Sequence, residues 1–158
     1  MIKPELGNLT VQGTPLSLTA GSVDATDVID LQAINYAGIT DVWAVISTAV
    51  AAGGDASDTY QFQWVVSLEE TLDTNKELLS ITVTSNADSR LATVGNHIMA
   101  LNLGKMIRDI ATSAYRYLGV ICTLSSGATL SVNISVSNTE PPSLYHAQVC
   151  ESNVGLPA

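Results

Sequence analysis

Leu130, Val132, Ile134 and Val136 alternate with Ser131, Asn133, Ser135 and Ser137. A period of two places one row on a buried face and the other toward water, so residues 129–137 read as a strand lying on a core. The same alternation recurs along most of the chain. Tyr60, Phe62, Trp64 and Val66 share one face of a strand over 60–67, and Gln61, Gln63, Val65 and Ser67 share the other. Three aromatics in one row mark the core side, because such rings bury large areas and fill a sandwich well. Further strands are predicted at 15–19, 28–31, 42–48, 78–84, 98–103 and 115–124. Pro15 takes the first position of its strand, where no ladder donor is needed.

Turn chemistry separates these runs. Gly21 with Asp24 marks one turn, and Asn35-Tyr36-Ala37-Gly38 is a loop. Ala51-Ala52-Gly53-Gly54-Asp55-Ala56-Ser57 is a turn by composition, 85–90 is another, and Ser125-Ser126-Gly127-Ala128 joins the last two strands as a hairpin. Residues 69–77 are polar and read as a loop or one helical turn. Met106, Ile107 and Ile110 have helical spacing, which predicts a short helix over 105–112. The tally is about eight short antiparallel strands with no strand–helix alternation. It predicts an all-β fold, a jelly roll or β-sandwich, with irregular arms at both ends. The domain spans 15–137. Residues 1–14, with Pro4, Gly7 and Gly13, form an N-terminal arm. Residues 138–158 form a C-terminal tail beyond Pro141-Pro142, which stop any sheet.

Composition narrows the picture. A chain of 158 residues is one domain by size. It can bury roughly 70% of its unfolded surface without disulfides or metals. Charged residues make up 13% against 46% hydrophobic, which suits a protein with little free solvent-facing area or one packed against neighbours. No apolar run is long enough to cross a bilayer. The start Met1-Ile2-Lys3-Pro4-Glu5 lacks the pattern of a secretion signal, so synthesis and retention in a cytoplasm are expected. Asn8-Leu9-Thr10 and Asn133-Ile134-Ser135 are then chance matches to the glycosylation pattern. Fifteen acids against six bases give a formal charge of −9. That field repels phosphate, and the scattered bases form no track for nucleic acid.

Candidate chemistry is thin. Cys122 lies in an apolar strand and Cys150 in the tail, and both are expected as thiols in a reducing compartment, with a Cys122–Cys150 disulfide as the alternative. A Cys122–His97 nucleophile pair can be drawn, but His97 beside Gly95-Asn96 reads as the start of a strand. Asp55-Ala56-Ser57-Asp58 and the trio Asp24, Asp27 and Asp30 have oxygen spacing that calcium could use, yet lack the EF-hand pattern and read as turn and strand capping. Glu69 and Glu70 could pair for glycoside chemistry but read as a solvated loop. No catalytic, cofactor or metal site is expected. Trp43, Tyr60, Trp64, Tyr115 and Tyr117 could line a sugar-binding face. Exposure of Trp43 or Trp64 would favour that reading, and burial of both would oppose it.

Asp27-Val28-Ile29-Asp30-Leu31 and Asp41-Val42-Trp43-Ala44-Val45-Ile46-Ser47-Thr48-Ala49 resemble the opening strands of the jelly-roll capsid cement proteins of tailed bacteriophages. Tyr115-Arg116-Tyr117-Leu118-Gly119-Val120 resembles that family's Glu-Arg-Tyr-Leu-Arg-Leu strand, and the expected hairpin and last strand follow. The resemblance covers about 16–137. Ala114 stands where the family often has an acid, 59–74 is not diagnostic, and the tail runs past the usual end. It implies a non-enzymatic decoration protein on the outside of an icosahedral head. Such a protein would bridge major capsid protein subunits and stabilise the expanded shell, generally as a homodimer, with a trimer as the other form. The partners implied are the major capsid protein and the chain itself, with no nucleic acid and no membrane. Apolar residues in the two arms are the candidate partner-binding set: Leu6, Leu9, Val11, Leu144, Tyr145, Val149 and Leu156. The alternative function is a carbohydrate-binding sandwich of a phage tail or fibre.

Overall fold

The structure, a computed structural model, describes residues 5–8, 15–24, 27–31, 41–109 and 114–137. Among these, ten strands pair antiparallel in two five-stranded sheets that enclose one apolar core. The first sheet holds β1 (Glu5–Asn8), β2 (Leu16–Leu18), β5 (Trp43–Gly53), β8 (His97–Asn102) and β10 (Thr129–Ser137). The second holds β3 (Gly21–Asp24), β4 (Ile29–Asp30), β6 (Thr59–Ser67), β7 (Asn75–Thr84) and β9 (Tyr117–Leu124). Two short helices, α1 (Ser89–Ala92) and α2 (Gly104–Asp109), flank β8. The all-β sandwich expected from the alternation is what the chain forms.

Register explains why the alternation works. β10 pairs with β5, setting Val132, Ile134 and Val136 opposite Thr48, Ile46 and Ala44, and all six are buried. β6 pairs with β9, setting Tyr60, Phe62, Trp64 and Val66 opposite Leu124, Cys122, Val120 and Leu118. Those rows close on each other, and Trp64, Tyr60 and Phe62 are the largest side chains wholly removed from solvent. Burial of each such side chain stabilises by roughly 1.5–3 kcal/mol. The Trp64 indole N–H has no acceptor among the described residues. Its place in the core is therefore decided by size and apolar area.

Several boundaries differ from the sequence reading. Glu5–Asn8 is a strand rather than part of an irregular arm. It lies on the same edge of β10 as β2 and pairs with Ser135, Val136 and Ser137, which three-residue β2 does not reach. Backbone groups left open on β10 explain a strand with no side-chain pattern of its own. Gly21 and Asp24 bound β3, with Gly21 at φ +105 where the chain enters it. Ala51 to Gly53 continue β5, and the turn starts at Gly54. β7 begins at Asn75, inside the stretch read as a loop. Residues 89–92 form α1, capped by the Asp88 carboxylate accepting the Arg90 N–H at 2.9 Å. The predicted helix at 105–112 is present as Gly104–Asp109, and 110–113 lie outside the described residues.

The outer face of the second sheet carries a small apolar layer of its own. Leu72 sits at φ +61 in the loop after β6 and is 2% exposed. The left-handed backbone costs a leucine about 1–2 kcal/mol. Burying the side chain returns a comparable or larger amount. Its Cδ1 lies where a β-carbon on Gly119 would approach to 2.6 Å. Gly119 in turn pairs with Val65, itself buried. Connections β5–β6, β7–α1 and β9–β10 gather at one end of the sandwich. The links leading out of β4, β6 and β8 leave from the other.

Two substitutions test this packing by thermal denaturation. Trp64→Ala is expected to cost about 3–5 kcal/mol. Gly119→Val is expected to cost about 1–3 kcal/mol through overpacking against Leu72. Adding Leu72→Ala to Gly119→Val should cost less than the sum of the two single changes, because the two residues touch.

Candidate functional site

Leu6 belongs to β1, at the edge of the first sheet. Leu9, Val11, Leu144, Tyr145, Val149 and Leu156 lie outside the described residues, as does Cys150. Cys122 and His97 fall in different sheets: Cys122 is wholly buried opposite Phe62, and His97 opens β8 opposite Ser47. A thiol so enclosed has no path to a substrate in this conformation. Glu69 and Glu70 are exposed on the loop after β6. Among the described residues no group of three or more His, Cys, Asp or Glu side chains could hold a metal ion. No helix among them is long and apolar enough to cross a membrane.

Two of the acids singled out in the sequence, Asp58 and Asp30, do structural chemistry. Asp58, 8% exposed, accepts the Asp55 N–H at 2.7 Å with one oxygen and the Ser125 hydroxyl at 2.7 Å with the other. Its main-chain carbonyl accepts from the Ser85 N–H at 2.9 Å. The Thr59 N–H donates to the Ser125 hydroxyl at 2.9 Å, and Tyr60 donates its hydroxyl to the Gly53 carbonyl at 2.7 Å. Three turns at one end of the sandwich are thus tied through one residue, two of them by its carboxylate and the third by its main-chain carbonyl. Gly54, at φ +125, completes the knot, since a β-carbon there would collide with that carboxylate. The Asp55 amide and then the Ser125 hydroxyl hold the Asp58 carboxyl below its ordinary range. Burial, helped by Asp58 and Asp55, pushes the Tyr60 hydroxyl up, so it remains a neutral donor.

Asp30 is used at the opposite end. Arg116 grips it with Nε at 2.8 Å and Nη2 at 2.5 Å, a two-point fork onto one carboxylate. The guanidinium also lies 5.1 Å from the centroid of the Tyr117 ring. The Asp30 carboxylate raises the Arg116 pKa still further. The main chain repeats the link: Leu31 donates to the Arg116 carbonyl at 2.8 Å, and Arg116 donates to the Ser67 carbonyl at 2.9 Å. One arginine therefore fastens β4 to β9 and β9 to the end of β6.

The aromatics divide. Tyr60 and Trp64 are fully buried, whereas Trp43, Tyr115 and Tyr117 are half-buried. Trp43 belongs to the outward row of the first sheet, where it lies opposite Ser137. Val45 lies opposite Ser135, and Ser47 opposite Asn133. The six residues of this row carry no formal charge; Val45 in its middle is buried, and Glu5 of β1 lies across from Ser137 at its end. The sequence matches no family model and no curated protein.

Asp58 makes the acid limb of stability testable. Its folded pKa lies below the ordinary value of 3.8. The unfolded chain therefore binds the proton first as pH falls, and stability rises with pH through that window. The contribution is complete above about pH 4 and is lost as pH drops through the folded value. Denaturation curves between about pH 2.5 and 6 should show a shallower acid loss in Asp58→Asn than in the native protein.

Proposed function

We propose that this protein is a capsid decoration, or cement, protein of a tailed bacteriophage, a non-enzymatic subunit on the outer surface of an icosahedral head. The observation carrying this reading is that two separate stretches behind the family resemblance meet in space. Ile29 and Asp30 pair with Leu118 and Tyr117, and the Arg116 fork closes on Asp30. Strand order supports the jelly-roll form of the sandwich. Taking β1 with β2, and β3 with β4, as interrupted single strands leaves eight in sequence. First pairs with eighth, second with seventh, third with sixth and fourth with fifth, as in a hairpin ladder rolled on itself. On this reading the outward row of β5 and β10, with the half-buried Trp43, is the face offered to a major capsid protein.

The physical task fits such a molecule. Packaged DNA presses outward on a thin shell. A protein that binds the expanded shell in preference to the compact one stabilises it by mass action. Many copies in a symmetric array need only modest affinity each. Synthesis in the host cytoplasm followed by residence on the virion belongs to this reading. Burial of Tyr60 and Trp64 removes two of the five aromatics from any sugar-binding face, while the half-buried Trp43 keeps the tail- or fibre-module alternative in view.

Electron cryomicroscopy of expanded heads with and without the purified protein tests the proposal. Added density on the outside of the shell, bridging neighbouring capsid subunits, is the expected result. Absence of binding to such heads, with binding to a glycan array instead, would replace it by the alternative. Deletion of 143–158 should leave the circular dichroism spectrum and melting temperature of the sandwich unchanged and lower head occupancy. Equal occupancy would remove the tail from the contact.

A further inference from the structure

Residues 68–74 join β6 to β7 and fold back over the outward face of the second sheet. The hydrogen bonds of this loop close it on itself. Leu68 donates its N–H to the Thr74 carbonyl at 3.1 Å, Leu72 to the Glu69 carbonyl at 3.1 Å, and the Asn75 side-chain amide to the Leu72 carbonyl at 2.7 Å. The Ser67 hydroxyl accepts from the Glu69 N–H and donates to the Thr74 carbonyl, both at 3.1 Å. Ser67 and Asn75 face each other in the ladder, so the mouth of the loop is pinned. What reaches across to β9 is the Leu72 side chain. A β-carbon on Gly119 would meet its Cδ1 at 2.6 Å, its Cδ2 at 2.9 Å and its Cγ at 3.3 Å. Glu70 adds a favourable field at Arg116. The leucine anchor is set at a disadvantage. Leu72 holds φ +61, in the left-handed region that a residue with a β-carbon disfavours. Glu69, Glu70 and Asp73 crowd three exposed carboxylates onto the same loop, and they repel one another.

We propose that this loop is a cover that opens while both sheets stay folded, lifting Leu72 off Gly119. Opening gives up the burial of one leucine and leaves the ladders of β6 with β7 and β9 intact. It also frees the Leu72 backbone to leave the left-handed region, which offsets part of the lost burial. The open form uncovers a floor of Gly119 and Val65, and Val65 is 1% exposed when the cover is shut. Ile121, the next outward residue of β9 and half-buried, extends that floor along the strand. Leu68, on the cover itself, is already exposed. The molecule thus carries an apolar strip that is hidden in one state and bare in the other. This device belongs to the free chain and does not rest on the decoration reading.

Thiol labelling of the full chain tests the cover. In a Cys150→Ser background, Leu72→Cys puts a thiol at a position closed to solvent, and the wholly buried Cys122 serves as internal reference. Iodoacetamide should label the thiol of Leu72→Cys about a hundredfold faster than Cys122, at a rate unchanged by urea below the unfolding transition. Labelling of both thiols together, with the urea dependence of global unfolding, would overturn the proposal. The native sequence provides a second measurement. A glutamate-specific protease should cut after Glu69 or Glu70 at a rate equally insensitive to low urea. Gly119→Ala, which pushes on Leu72, should raise that rate about tenfold with an unchanged circular dichroism spectrum. Cleavage that appears only with global unfolding overturns the proposal, as does a native cleavage rate in Gly119→Ala. If either variant fails to fold, the cleavage profile of the native chain decides.

Discussion

In β6, Tyr60, Phe62, Trp64 and Val66 have to point the same way, and the rest of the molecule is arranged around that requirement. A slip of one residue against β9 would send three aromatic rings into water and bring Gln61 and Gln63 inside. Pairing on both sides of the strand, with β9 and with β7, holds the register. The first sheet then has to present a complementary row. Ala44, Ile46 and Thr48 of β5 and the alternate residues of β10 do so. Ala44, Ile46 and Ile134 share one buried cluster with the indole of Trp64 and the phenol of Tyr60.

What could be read in the chain beforehand follows from this constraint. β10 was legible to the residue because apolar and polar positions alternate without a break. β1 was not, because main-chain bonds to β10 hold it and its own side chains carry no period. The end of β5 was hidden by Ala51, Ala52 and Gly53, which look like turn residues but continue a ladder. The start of β7 was hidden by Asn75, Lys76 and Glu77, which are exposed on an edge strand and so escape selection for alternation. The role of Leu72 had no local signal. It depends on the missing side chain of Gly119, distant in sequence and brought near by the sheet.

The same holds for the candidate site. Turn formation by Asp55 and Asp58 was legible from residue type, but that Asp58 would reach Ser125 required the fold. Asp30 looked like one of three possible cation ligands, and nothing local marked Arg116, 86 residues away, as its partner. Of the proposed contact residues in the two arms, Leu6 falls in β1 and the other six lie outside the described residues, whereas the outward row of β5 and β10 emerges only once two strands distant in sequence are laid side by side. Surface character is a property of neighbours across a sheet, which a linear pattern does not contain.

The two ends of the sandwich are built to different standards. At one, short turns converge on a single carboxylate and a glycine that admits no side chain. At the other, longer connections run between strands already fastened by Arg116 and Asp30. Sequence drift, inserted loops or grafted peptides should therefore accumulate at the second end and be purged from the first. A lineage that needed to follow a changing partner could rewrite one pole of this molecule while leaving its β-ladder untouched.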